Sequence, residues 1–253
     1  MQTVSTWRTA EFSFQSTKDV QNPYADIDAG AIFTGPGGVR IRRPAFWDGG
    51  HTWKVCFAPT QAGQWHYALS SNDGSDTGLN DLTGKFRSVD ESGNYPVYCH
   101  GFLRKGPGGR YLAHADDMPF FWPGDTHWQF TSERWDEANK PGWSSQFRGM
   151  VDKRVKQGYT VYQTNLMMSD WLSGTSRYWM EGKPFENIDV GFFQATVDPR
   201  MAYIASRGLV NAMGLGWYPI VDANLEDYRK LNSKKYRPMA ARKESRNVLI
   251  GRR

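Results

Sequence analysis

Between Thr6 and about Val89, apolar and polar residues alternate in short runs broken by Gly, Pro, Asn and Asp. In Glu11-Phe12-Ser13-Phe14-Gln15 the aromatics fall on every second position. Ala31-Ile32-Phe33 stops at Gly35-Pro36-Gly37-Gly38, and Val39-Arg40-Ile41-Arg42 resumes the alternation. Thr52-Trp53-Lys54-Val55-Cys56-Phe57 and Gln64-Trp65-His66-Tyr67-Ala68-Leu69 repeat it with Trp, Val and Phe, then Trp, Tyr and Leu, in phase. A period of two aims such side chains at one buried face of a sheet. Asp48-Gly49-Gly50 and Pro59-Thr60-Gln61-Ala62-Gly63 supply turn residues between the runs. Strands about 8 to 12 residues apart, with no useful helical segment between them, predict an Ig-like β-sandwich. Its span is residues 1–96, followed by a connector over 97–112.

After residue 112 the pattern changes. Pro119-Phe120-Phe121-Trp122 is an apolar run leading to Gly124-Asp125 and is expected to be a first strand. Phe147, Met150, Val151 and Val155 share a helical face, with Ser145 as N-cap and Gly158 as the stop. Tyr159 to Leu166 predicts a second strand. Asp198-Pro199 predicts a helix start, the aspartate capping and the proline in the first turn, running to Gly208. Leu209 to Gly216 predicts a third strand and Asp222 to Leu231 a third helix. Alternating strands and helices imply parallel strands joined by right-handed crossovers.

The strand ends carry the chemistry. The first ends in Asp125-Thr126-His127-Trp128, the second in Asn165 with Asp170-Trp171 beyond, the third in Trp217-Tyr218 with Asp222. In (β/α)8 barrels the C-terminal ends of the strands build the substrate site. Asp125, His127, Trp128, Asn165, Trp171, Trp217 and Tyr218 are therefore the candidate ligand contacts. Asp125, Asp170 and Asp222 follow successive strands and can face one cleft, although Asp198 and Asp222 also suit helix capping and the three tryptophans also suit a core.

Composition narrows the classes. No apolar run approaches the roughly 18 to 20 residues of a membrane-spanning helix, and Met1 to Ala10 has no secretory pattern. Two cysteines, Cys56 and Cys99, exclude a disulfide framework, and two free thiols are expected, a single Cys56–Cys99 disulfide being the alternative. Five scattered histidines offer no zinc spacing, so no metal or cofactor is expected. Eleven Trp, 12 Tyr and 14 Phe suit stacking on flat rings and a Trp-rich core alike. The net charge of +5 is localised: residues 232–253 hold eight basic side chains against Glu244, which leaves the rest slightly acidic.

Phe46-Trp47-Asp48-Gly49-Gly50-His51-Thr52-Trp53-Lys54-Val55, with Phe57-Ala58-Pro59 and Gly63-Gln64-Trp65, resembles the sandwich that precedes the barrel of apiosidase-like glycoside hydrolases. His100-Gly101-Phe102 resembles that family's connector. Ala115-Asp116-Asp117-Met118-Pro119-Phe120-Phe121-Trp122-Pro123-Gly124-Asp125-Thr126-His127-Trp128 resembles its first barrel strand, with Asp117 where a glycine is expected. The resemblance covers roughly residues 8–231. It implies a β-sandwich followed by α/β: an Ig-like N-terminal domain plus an incomplete TIM-type (β/α)8 barrel, its first three βα units over 113–231. The implied activity is hydrolysis of O-glycosidic bonds in plant-type polysaccharide, with polysaccharide or oligosaccharide as partner, no membrane, and extracytoplasmic work.

The same resemblance places an acid/base carboxylate after strand 4 and a nucleophile after strand 7, and a complete barrel takes at least about 200 residues. From Asp117 to Leu231 there are 115 residues. The catalytic pair is thus expected to be absent and the chain truncated or frame-shifted near Leu231, with a disordered basic tail over 232–253. An open three-stranded sheet would need an oligomeric or other partner on its edge. As written, without a signal peptide, the chain would be cytoplasmic. A non-catalytic carbohydrate- or collagen-binding module is the alternative, and nucleic-acid binding through the tail a weaker third.

Overall fold

A computed structural model of the chain describes residues 2–128, 131–165 and 188–214. The described residues fall into two compact units, residues 2–102 with Ile188, and residues 103–128 and 131–165 with 189–214.

The first unit contains strands β1 (Thr3–Ser5), β2 (Ala10–Gln15), β3 (Ala29–Thr34), β4 (Arg40–Pro44), β5 (Phe46–Trp47), β6 (Thr52–Phe57), β7 (Gly63–Ser71) and β8 (Leu82–Val89). Its helices α1 (Pro23–Asp26) and α2 (Pro96–Cys99) are single turns. The strands make a five-stranded sheet in the order β1-β8-β7-β3-β4 and a three-stranded sheet in the order β2-β6-β5. Along β2, buried and exposed residues alternate without a break, as the sequence predicts. Phe12 and Phe14 pair with Val55 and Trp53 across β2 and β6. That face meets Phe33, Trp65, Leu69 and Phe86 of the other sheet in one core. Phe33 and Phe57 stack with centroids 3.9 Å apart and planes 3° apart. The chain turns between β5 and β6 at Asp48-Gly49-Gly50. There Gly49 (φ 97°) and Gly50 (φ 52°) take conformations that side chains disfavour. Strand β1 pairs parallel with β8 and was not legible, because three residues are too few to establish a period.

Both cysteines are free. Cys56 points away from Val55 and Phe57, yet it is buried, with Glu11 Oε2 3.8 Å from its sulfur.

A polar clasp holds the segment after β2. Asp76, itself buried, accepts hydrogen bonds from Ser16 Oγ (2.6 Å), Thr17 N (3.0 Å), Thr17 Oγ1 (2.9 Å) and Gly78 N (2.9 Å). Burial pushes its carboxyl up, but these donors outweigh burial and hold it below the usual carboxylate range. Such a group adds stability above the unfolded carboxylate value of about 3.9 and loses it as pH falls through the lower folded value. Asp76→Asn should therefore lower stability at neutral pH by about 2 kcal/mol. In urea titrations across pH, the gap between wild type and variant should shrink below pH about 3.9.

The second unit opens with a small antiparallel sheet of β9 (Arg104–Lys105), β10 (Leu112–Ala113) and β11 (Pro119–Phe120). It continues with β12 (Gly124–His127), α3 (Gln146–Lys156), β13 (Val161–Asn165), a helix α4 running from Val190 to Ser206, and β14 (Val210–Gly214). Strands β12, β13 and β14 are parallel neighbours in chain order. The molecule is thus a sandwich followed by a partial α/β unit.

Two expectations are corrected. The run Pro119–Trp122 is not the first parallel strand: Pro119 and Phe120 pair antiparallel with β10, and the parallel strand begins at Gly124. Pro123, which has no N–H to donate, separates the two. Nor does Asp198 cap a helix start. The cap is Asp189, whose Oδ1 accepts from Phe192 N at 2.9 Å, and α4 then runs through a π turn over Phe193–Val197 before Asp198 and Pro199. The widened turn lets the helix pass a proline that lacks its N–H and crowds the preceding turn. Elsewhere the predicted signals hold. Ser145 Oγ accepts from Arg148 N at 3.1 Å at the start of α3, and Gly158 follows its end at φ 80°. Asp117, where the family resemblance expects glycine, has φ 72°, the left-handed region that glycine occupies freely. Asp170, Trp171, Trp217, Tyr218, the helix expected over Asp222–Leu231 and the basic tail lie outside the described residues.

Candidate functional site

His127 closes β12 and is buried between two carboxylates. Its Nε2 lies 3.1 Å from Asp125 Oδ2 and its Nδ1 3.0 Å from Glu133 Oε1. A carboxylate only accepts, so the ring serves both when each nitrogen carries hydrogen. The ring also stacks on Tyr162 of β13, centroids 4.1 Å and planes 15° apart. Asp125 Oδ2 takes a further hydrogen bond from Arg154 Nε of α3. Arg200 of α4, buried, donates from Nη2 to the Glu133 carbonyl at 2.7 Å. The cluster thus joins β12, the following loop, β13 and both helices.

Burial pushes the Asp125 carboxyl up, but the Arg154 guanidinium and His127 outweigh it and hold the group below the usual carboxylate range. It is a standing anion, suited to orienting other groups and poorly suited to delivering a proton. Burial, with the Glu133 and Asp125 charges adding to it, pushes the Tyr162 hydroxyl far up, so that it stays neutral.

The strand register separates the predicted residues onto two faces. Asp125 pairs with Tyr162 and Tyr162 with Asn211. Tyr162 meets Phe147 of α3 at 6.2 Å, and Asn211 Nδ2 donates to Met201 Sδ of α4. Asp125, His127, Tyr162, Thr164 and Asn211 therefore face the helices. Asn165 alternates with Thr164 and belongs to the opposite face, with Thr126 and Gln163. Trp128, just past β12, is 41% exposed. His127, Asn165 and Gly214 stand at or near the C-terminal ends of their strands.

Four members of the cluster escape a reading of the sequence: Glu133, Arg154, Tyr162 and Arg200. The one local hint is Arg154, a cation three residues past Val151 on a helix face otherwise read as apolar. Among the described residues no group of three or more His, Cys, Asp or Glu is arranged to hold a metal ion. Among them, too, no helix is long and apolar enough to cross a membrane.

A sandwich followed by parallel strands and helices, with polar and aromatic residues at the strand ends, is the build of a glycoside hydrolase-like protein. Residues 106–247 match the family described as "Apiosidase-like, catalytic domain", and the chain belongs to that family. The match includes residues 232–247, part of the basic tail expected to be foreign to the barrel. Residues 3–72 match a separate "Domain of unknown function (DUF5060)". A provisionally assigned glycoside hydrolase from Bacteroides vulgatus ATCC 8482, solved by crystallography, shares the fold with a TM-score of 0.69 at 19% identity, covering 98% of this chain and 48% of that one. The chain thus spans about half the length of this solved relative. A glycoside hydrolase family 5 structure from the same organism has 22% identity over 49% of this chain and 26% of its own, with a TM-score of 0.33, too low to bear on the fold. No curated protein matches.

Proposed function

We propose that the chain is the carbohydrate-holding part of a glycoside hydrolase: an Ig-like sandwich over residues 1–96, a connector over 97–112, and over 113–231 the first three βα units of a TIM-type barrel acting on plant-type polysaccharide. Family membership carries the reading, and the shared C-terminal edge of β12, β13 and β14 supports its location. Asn165 and the tryptophan Trp128 are assigned to sugar hydroxyls and a sugar ring face, and Trp171, Trp217 and Tyr218 are assigned to substrate contacts as well. Asp125 and His127 border this edge. Held by Arg154, Glu133 and Tyr162, they fix its shape and offer polar contacts rather than act as catalysts.

Glycoside hydrolysis needs two carboxyl groups flanking the bond, one of them able to give up a proton. Asp125 is a depressed anion engaged by an arginine, so the proposal assigns the described strand-end site binding without the acid/base pair. Calorimetric titration of the chain with plant cell-wall oligosaccharides should show binding, weakened roughly tenfold by Asn165→Ala, with no reducing sugar released. Released sugar would refute the missing acid/base pair, and unchanged affinity in the variant would remove Asn165 from the site.

A further inference from the structure

The outer face of the five-stranded sheet carries a row of basic side chains that the strand-end site does not use. Arg40 on β4 pairs with Thr34 on β3, Thr34 with His66 on β7, and His66 with Lys85 on β8. The four side chains lie in one line across four strands, which span roughly 14 Å at the usual inter-strand spacing. Arg40, His66 and Lys85 are exposed, and the concavity around them has a volume of about 510 Å³ and no Asp or Glu in its lining. Arg42, one step along β4, does have an acid, Asp28 Oδ1 at 3.6 Å. Beside the basic row lies a second, Arg42 on β4 against Ile32 on β3, Ile32 against Ala68 on β7 and Ala68 against Thr83 on β8, whose middle two residues form a low apolar floor.

His66 and Lys85 stand directly opposite each other and Arg40 closes the row two strands away, with no acid along it. An anion laid along the row takes charge-assisted hydrogen bonds from Arg40 and Lys85 and a further contact from His66. The adjoining floor suits a flat C–H face, and the strand spacing is comparable to the length of a pyranose ring. We infer that this face binds a polysaccharide bearing uronic acids, with Arg40, His66 and Lys85 taking its carboxylates while Ile32 and Ala68 support the sugar rings. The choice of a sugar polymer rests on the function proposed above; the choice of a negatively charged one rests on the row alone.

The test uses the full chain with polygalacturonate, its methyl-esterified form and single-stranded DNA as probes, in affinity electrophoresis at fixed salt. Polygalacturonate should bind more tightly than the esterified polymer. The double substitution Arg40→Glu and Lys85→Glu should weaken it roughly tenfold or more, with the melting temperature unchanged because both side chains are exposed. The same double variant should leave the calorimetric affinity for uncharged plant cell-wall oligosaccharides unchanged, which separates the outer face from the strand-end site. Equal binding of both galacturonans, or undiminished binding by the double variant, overturns the assignment. DNA bound as tightly and lost in the same variant overturns it too, in favour of a general polyanion surface.

Discussion

Trp65→Ala should destabilise the sandwich unit by about 3–5 kcal/mol, among the larger losses a single core truncation produces. Trp65 is fully buried near the start of β7. Its ring lies 5.0 Å from Phe57 and 6.4 Å from Phe86, joining both sheets, and its Nε1 donates to the Gln61 carbonyl at 3.0 Å. A Cβ on Gly35 would stand 2.6 Å from the same ring, so the indole packs directly on backbone that has no side chain to refill the space. Truncation opens a cavity bounded by rings and strands that cannot collapse into it, and leaves the Gln61 carbonyl without this donor. Trp65→Phe keeps part of the packing and should cost about half as much. Chemical unfolding followed by tryptophan fluorescence and circular dichroism checks both. A loss below about 1 kcal/mol for the alanine variant would mean that the two sheets close over the gap.

Phe147→Ala is the counterpart in the second unit, with an expected loss of about 3–5 kcal/mol and a fall in that unit's melting temperature of roughly 10 °C or more. Phe147, fully buried on α3, packs against Trp135 at 5.5 Å, Tyr162 at 6.2 Å and Tyr203 at 6.4 Å, with the Arg200 guanidinium 5.4 Å above its ring. Its removal withdraws support from Tyr162, on which His127 stacks, so it should also weaken oligosaccharide binding at the strand ends. Phe147→Leu fills most of the volume and should recover stability and binding together. Recovery of stability alone would separate the core from the site.

The cluster around His127 resists reading for a physical reason. Asp125 and His127 are two residues apart, and period two places them on one face. Which face it is depends on α3, whose Arg154 stands 29 positions from Asp125. Strands covered on one face by helices and flanked on the other lose the alternation that marks inside from outside. Val161 and Tyr162, adjacent on β13, are both fully buried. Asn165 and His127 therefore look alike in the sequence, yet the register sends them to opposite sides. The π turn at Phe193–Val197 is hidden similarly, because Asp198-Pro199 satisfies the rules for a helix start and only the preceding turn shows that the helix is already running.

By itself the sequence determined what short-range physics controls. The alternation of β2 and β6 settled their buried faces, Ser145 and Gly158 bounded α3, Gly49 and Gly50 turned the chain, and the motifs of the sandwich and the first parallel strand identified the family. The tertiary structure alone decided what depends on partners distant in the chain: the line of Arg40, Thr34, His66 and Lys85 across four strands, the burial of Cys56 on the nominally outer face, and the choice of face for Asp125, His127 and Asn165. Alternation and capping act within a few residues, whereas register and layer packing depend on segments tens of residues apart.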